Sequence, residues 1–351
     1  MLLWIDGFDA YGTDGAGIFS ALNAAGYEVT GQFGTLVSAS ANTRTGVGFS
    51  LNPASFHQGY NGSVIRNFPL ATGLVVGFAC QINESIYQPI CSIGYNSYLG
   101  QVGDQMQVYF NAANGLTVMT GDGLLHYATN PNAFFAGVWQ YVEIMYTPGA
   151  AGSIQIKVDG VVVLNVTSEQ TGQAAYPATV NYFSFNGLGV NMLVDDLYIC
   201  DQTGPAFNTF LGDCVVHAVL PNADAGTNTF AQFGGDGGGH YTSVDDVTPD
   251  GDTSYVYSNT SGQKELYSLS TLPADIVSVL AVGVNVLAKK ASAGLGLYQA
   301  VCEVGSTESD SPAIAAPLAY TMSQTLLASP PGGGAWSLTS VQSAKIGVKI
   351  P

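Results

Sequence analysis

Hydrophobic and polar positions alternate with period two over much of this chain. That is the periodicity of half-buried β-strands, whose successive side chains point to opposite faces. The clearest run is Ser153-Ile154-Gln155-Ile156-Lys157-Val158, with Ile154, Ile156 and Val158 on one face. Asp159-Gly160 follows as a turn, and Val161-Val162-Val163-Leu164-Asn165-Val166 returns, which is the strongest hairpin signal present. Gln105-Met106-Gln107-Val108-Tyr109-Phe110 predicts another strand. So does the stretch from Trp139 to Tyr146, where Gln140 and Glu143 make the alternation imperfect. Helical periodicity is scarce. A short helix is expected over residues 17–25. Residues 273–279 read as a turn of helix or, through the β-branched density of residues 277–287, as a strand, and the strand is favoured. A last strand is expected over 345–350. Turn formers cluster at Cys200-Asp201-Gln202-Thr203-Gly204-Pro205, and a new alternating segment starts at Cys214. The expectation is an all-β chain of two sandwich domains, residues 1–203 and 204–351. No repeat of fixed period is visible.

Composition narrows the possible roles. The 351 residues suffice for two domains that each bury a core. Only 9% are charged, with 8 Lys and Arg against 25 Asp and Glu and a formal net charge of −17. Nucleic-acid binding needs cations against phosphates and is disfavoured, as is an acidic membrane surface. The 47% hydrophobic content, with 19 Tyr and 16 Phe, argues against disorder. Apolar stretches stop well short of the roughly 18 residues of a membrane span, so no membrane insertion is expected. Residues 1–7 carry no basic n-region, so synthesis without a classical export leader is expected. The five cysteines have no zinc-site spacing and are odd in number. Buried free thiols are the expectation, with Cys80 and Cys91 on neighbouring strands as the alternative pair.

Residues 139–201 carry a resemblance. A strand with Trp139, Tyr141 and Glu143, a hairpin at Val158-Asp159-Gly160 and the late acidic strand Val194-Asp195-Asp196-Leu197-Tyr198-Ile199 occur in an order that resembles the concanavalin-like, laminin-G-like jelly-roll domains. Trp4-Ile5-Asp6-Gly7-Phe8-Asp9 looks like the matching first strand. The resemblance implies a jelly-roll sandwich followed by a second β-sandwich. It also implies that Asp6, Asp9, Asp195 and Asp196 converge if the first and late strands pair. Laminin-G-like domains often hold calcium, for which carboxylates are suitable ligands. The competing reading is that one aspartate caps a turn and another faces water, with no cofactor.

The whole chain also resembles tailed-phage structural proteins. The residues are the late acidic strand through Asp201, Phe210-Leu211-Gly212-Asp213, Thr253-Ser254-Tyr255-Val256-Tyr257-Ser258, Glu265-Leu266-Tyr267, residues 335–341 and Ile346-Gly347-Val348-Lys349. This implies a virion component, tail-associated or capsid-decorating, acting by subunit packing and not as an enzyme. It would be a homo-oligomer, a trimer by analogy. Its partners would be other capsid or tail proteins, or a host surface glycan if it is an adhesin.

Catalytic signatures are thin. The glycine-rich loop around Asp236 lacks the residues of a phosphate-binding loop. Asp245, Asp246, Asp250 and Asp252 do not keep the spacing of an EF-hand and read as a solvated loop. His57, His126, His217 and His240 show no metal-ligand spacing, and no nucleophile elbow appears. Glu143, near Trp139, is the one carboxylate worth testing for glycoside cleavage, which needs a carboxylate pair. Trp139 and Trp336 are expected in the two cores.

Overall fold

The structure is a computed structural model that describes residues 1–11, 15–30, 38–40, 43–44, 50–52, 63–83, 88–96, 102–111, 115–120, 126–129, 132–174, 176–186, 192–274 and 276–351. It is an all-β protein with several antiparallel sheets, consistent with more than one sandwich-like domain. The chain divides into two compact units, Met1–Val216 and His217–Pro351.

The first unit contains strands β1 (Leu2–Asp6), β2 (Tyr27–Thr30), β3 (Ser38–Ser40), β4 (Ser50–Asn52), β5 (Ser63–Ala71), β6 (Leu74–Ile82), β7 (Gln88–Asn96) and β8 (Val102–Asn111). They are followed by β9 (Gly115–Thr120), β10 (His126–Ala128), β11 (Gln140–Thr147), β12 (Gly152–Val158), β13 (Val161–Glu169), β14 (Val180–Asn186) and β15 (Met192–Asp201). A helix, α1 (Gly15–Ala24), covers most of the stretch expected to be helical. Among the described residues, one sheet runs β13-β12-β11-β6-β15-β4-β3, with β1 also paired to β15. The other runs β10-β9-β8-β7-β14-β5-β2.

Phe78 of β6 meets Phe183 and Phe185 of β14 at ring distances of 5.8 and 5.1 Å, so these two sheets pack face to face. Val76, Phe78, Cys80, Val142, Ile144, Ile154 and Ile156 from one sheet, and Cys91, Ile93, Met106, Val108, Phe110, Leu116 and Val118 from the other, are wholly buried. Each fully buried side chain of this size contributes about 1.5–3 kcal/mol of transfer free energy. The period-two pattern puts those residues inside. It leaves the intervening positions of β7, β8, β9 and β14 on the opposite face of the seven-stranded sheet.

Asp159 and Gly160 both take positive φ, 48° and 77°, as a tight two-residue hairpin turn requires. Cys80 and Cys91 lie in different sheets, not on neighbouring strands, and all five cysteines are free thiols. Trp139 precedes β11 and is only half-buried, so it is not a core residue; the core positions of that strand begin further on with Val142 and Ile144.

Residues 204–216 belong to the first unit. Their backbone N–H groups donate back to it: Leu211 to the Tyr198 hydroxyl (3.2 Å), Gly212 to Glu143 Oε1 (2.8 Å) and Val216 to Asp196 Oδ1 (2.9 Å). The division after Val216 thus falls beyond the turn cluster at 200–205, because the turn formers open a segment that folds onto the preceding strands.

The second unit contains β16 (Pro221–Asn228), β17 (Ala231–Phe233), β18 (Tyr255–Tyr257), β19 (Lys264–Leu269), β20 (Val282–Ala288), β21 (Leu297–Val304), β22 (Thr307–Asp310), β23 (Ile314–Ala315), β24 (Thr321–Leu327), a short helix α2 (Leu338–Gln342) and β25 (Lys345–Lys349). Of the strand expected over residues 277–287, the part from Val282 is β20, and residues 277–281 lie outside it. Trp336 packs with Val284, Ala300, Cys302, Val341 and Ala344 in the core of this unit.

Candidate functional site

The outward positions of the seven-stranded sheet, most of them polar, are in register across it. On the face turned from the core, Ser184 pairs with Ile65 and with Ser92, Ser92 with Gln107, and Gln107 with Met119; the register continues outward to Glu28 at one edge and His126 at the other. A second row runs Asn67, Tyr182, Gly94 and Asp104. A third includes Tyr109 and Thr117.

Hydrogen bonds tie these rows together. The Tyr182 hydroxyl donates to Asp104 Oδ1 (2.5 Å) and Gln107 Nε2 donates to Asp104 Oδ2 (2.6 Å). The Tyr109 hydroxyl donates to Gln107 Oε1 (2.8 Å). Ser184 Oγ donates to Asn186 Oδ1 (3.1 Å), and Asn186 Nδ2 donates to Ser92 Oγ. Asn111 Nδ2 donates to Thr117 Oγ1 (3.2 Å).

Gly94 makes the Tyr182–Asp104 bond possible. A Cβ there would lie 2.2 Å from the Tyr182 hydroxyl oxygen and 2.4 Å from the Gly103 carbonyl oxygen, so only glycine lets the phenol ring cross β7 to reach β8. Burial first, then the Asp104 carboxylate, push the Tyr182 phenol above its ordinary value. It is therefore held as a hydroxyl donor and not as a base. Ser92 and Ser184 are sealed, whereas Asp104, Gln107, Tyr109, Met119 and Asn186 are half-buried. Asp104, Gln107 and Tyr109, half-buried and fixed by hydrogen bonds to one another and to the sealed Tyr182, are suited to orienting a polyhydroxylated ligand.

The residues singled out in the sequence lie elsewhere. The first and late strands do pair, Asp6 standing opposite Leu197. Asp6 is occupied by the Tyr11 and Tyr27 hydroxyls (2.5 and 2.8 Å) and the Phe8 N–H (2.8 Å). Asp196 sits in a bulge of β15 with φ of 54°, and both Asp195 and Asp196 are buried, so neither faces water. Asp196 Oδ2 lies 3.6 Å from Arg44, and Asp195 Oδ1 accepts from the Asp196 N–H (3.0 Å). Asp9 lies close enough to Asp195 to raise its carboxyl. Among the described residues, no group of three or more His, Cys, Asp or Glu is arranged to hold a metal ion.

Glu143 is buried on the far face of the other sheet, beneath residues 211–216, and accepts from the Tyr198 hydroxyl (2.6 Å). It has no access to a cleft substrate while that segment covers it. His57 lies outside the described residues. In the second unit, Glu265 is wholly buried and accepts from the Phe230 N–H (2.6 Å), Asn228 Nδ2 (2.8 Å) and the Tyr267 hydroxyl (3.1 Å), with His240 Nδ1 at 3.0 Å. This cluster fixes β16, β19 and the turn at residue 240. The Asp245–Asp252 loop is partly self-capped, Ser254 Oγ donating to Asp250 Oδ2 (2.9 Å).

Burial first, then Asp196 and Asp9, raise the Asp195 carboxyl to about 8. A carboxyl whose folded value exceeds its unfolded value of about 3.9 stabilises fully below the latter and loses that contribution as pH rises through the former. Wild-type stability is therefore expected to fall from about pH 4 to about pH 8 at this group. Asp195→Asn, which keeps an acceptor for the Asp196 N–H, should gain about 2 kcal/mol over wild type at the upper end and nothing at the lower. Urea unfolding at both pH values reads the difference; parallel profiles would show that Asp195 is not strained by its charge.

No known protein family matches the sequence. No curated protein matches it either. Solved structures similar to it include an endo-β-1,4-glucuronan lyase from the fungus Trichoderma reesei (16% identity, TM-score 0.37, covering 50% of this chain and 90% of that one). An alginate lyase, Aly36B, is similar at 13% identity and TM-score 0.37, covering 56% and 96%. A Trypanosoma rangeli sialidase is similar at 10% and 0.31, covering 43% of this chain and only 27% of its own. These are named for action on carbohydrates, and they replace the tailed-phage resemblance: a virion structural role, a place in the virion and a non-enzymatic assignment do not stand. At such TM-scores the likeness carries neither substrate nor mechanism to this chain.

Proposed function

We propose that the first unit is a carbohydrate-recognition domain that takes a glycan chain along the polar face of its seven-stranded sheet. The observation that supports this is the continuous bonded row Tyr182–Asp104–Gln107–Tyr109 on strands β14 and β8. Sugar hydroxyls donate and accept at once, and a carboxylate has about four lone-pair sites. Two of those on Asp104 accept the Tyr182 and Gln107 donors among the described residues. The remainder suit sugar hydroxyls as donors. Groups held in place by their neighbours lose little side-chain entropy on binding. The reading carries with it the finer assignment of this unit as a concanavalin-like jelly roll, which the β1–β15 pairing favours.

The test is affinity electrophoresis of the full chain in gels containing soluble polysaccharides, with the same incubations assayed for new reducing ends and for unsaturated sugar products. Retardation by at least one glycan, lost in Tyr182→Phe combined with Gln107→Ala, is expected. Retardation that survives the double substitution would place binding on another surface.

A further inference from the structure

The polar face of the first unit contains no lysine or arginine. Residues 1–216 hold three such side chains: Arg44, Arg66 and Lys157. Arg44 is paired with Asp213, donates to the Cys214 carbonyl (3.2 Å) and lies 5.0 Å from the Tyr141 ring. Arg66 is turned inward, 3.5 Å from the Trp4 ring centre, and donates to the Ala25 carbonyl (2.5 Å). Lys157, on β12 of the other sheet, lies 4.3 Å from the Phe210 ring. All three are committed away from the candidate site, whose charged member at the centre is the carboxylate of Asp104. At the sheet edge in the neighbouring row stands the exposed Glu28.

Resting on the glycan reading above, we infer that this face selects neutral glycans and rejects polyuronates, with Asp104 as the specificity-determining residue. A uronate carboxylate laid along the row would meet Asp104 with no cation to offset it. In a half-buried setting two like charges several ångströms apart repel strongly enough to outweigh one or two sugar hydrogen bonds. A neutral sugar presents hydroxyl donors to the same carboxylate and gains charge-assisted hydrogen bonds. This is the opposite preference from that in the names of the two lyases.

The experiment uses the full chain and paired probes. A β-glucan, a mannan and a galactan are each compared with their own C6-oxidised form, in which the same backbone carries carboxylates. Calorimetric titration at low salt is expected to show at least about tenfold weaker binding of the oxidised partner of whichever neutral polymer binds. Asp104→Asn should narrow that ratio, and added salt should narrow it for the wild type. Met119→Lys, which places a cation beside Gln107 in the register row, should admit the oxidised polymer while a neutral-to-neutral change there does not. Equal binding of oxidised and neutral forms by the wild type would overturn the inference and leave the glycan reading standing. Binding of neither form by any pair would overturn both. Tighter binding of the oxidised polymer would assign the face to polyuronates.

Discussion

Replacing Gly347 with alanine is expected to unfold the second unit while leaving the first intact. Gly347 lies on β25, the strand between β19 and β21. A Cβ on it would stand 1.8 Å from the Glu265 carbonyl oxygen, 2.8 Å from the Glu265 carbonyl carbon and 3.1 Å from Leu266 Cα. All three are backbone atoms of the paired strand, so no rotamer change relieves the clash. Moving β19 away would break the Leu266–Gly347 pairing and displace Glu265, whose carboxylate anchors Phe230, Asn228 and Tyr267. The cost should be about 3 kcal/mol or more, a large part of the stability of a unit this size. Limited proteolysis should then digest residues 217–351 and spare residues 1–216. Wild-type resistance across the whole chain would mean that the strands have slack that the packing does not show.

The second large effect falls on the candidate site. Gly94→Ala places a methyl group where the Tyr182 hydroxyl and the Gly103 carbonyl now lie. The Tyr182 ring must swing off β7, and Asp104 loses its donor from β14. Gln107 and Tyr109 then lose the anchor at the end of their row. Glycan affinity is expected to drop by more than about tenfold, since a lost bond to a charged group is worth roughly 1.5–3 kcal/mol. Part of the strain should also appear as a lower melting temperature. Comparison with Tyr182→Phe separates the effects: that variant removes the hydrogen bond without the clash, so it should lose affinity and keep more of its stability. If Gly94→Ala binds glycan as the wild type does, the bonded row is not what recognises the ligand.

Much of the fold was legible because the chain writes its faces in period two. The Asp159-Gly160 hairpin, the strand over 105–110, the helix near residue 20 and the terminal strand all follow from local rules that the tertiary structure does not override. The pairing of residues 2–6 with 197–200 was legible only by resemblance, since nothing local joins segments that far apart. The site was half-legible. Gln105, Gln107 and Tyr109 stood out as the polar members of an alternating strand, but polar members read by default as solvent-facing. That Gln107 lines up with Ser92 and Ser184 depends on register across three strands, and a bulge between Ile93 and Gly94 brings Asp104 rather than Gln105 opposite Gly94. Gln105 is instead buried, its Nε2 donating to the Pro177 and Thr179 carbonyls (3.0 and 2.5 Å).

The carboxylates that drew attention have partners that the sequence does not show. Asp6 at the end of β1, Asp196 in the bulge of β15 and Glu143 in the middle of β11 satisfy hydroxyls and backbone N–H groups, a demand created by folding and invisible in a linear motif. The phage resemblance rested on short strand sequences that β-sandwiches of unrelated function also use.

Everything proposed for the first unit depends on the polar face of the seven-stranded sheet holding a glycan. A crystal structure of the full chain soaked with oligosaccharides of the neutral polymer that it retains tests this most directly. Sugar density is expected over β7, β8 and β14, with ring hydroxyls within hydrogen-bond distance of Asp104 and Gln107. Density elsewhere, such as against the exposed rings of Phe233 and Tyr257 in the second unit, with the Asp104 row empty, would contradict it.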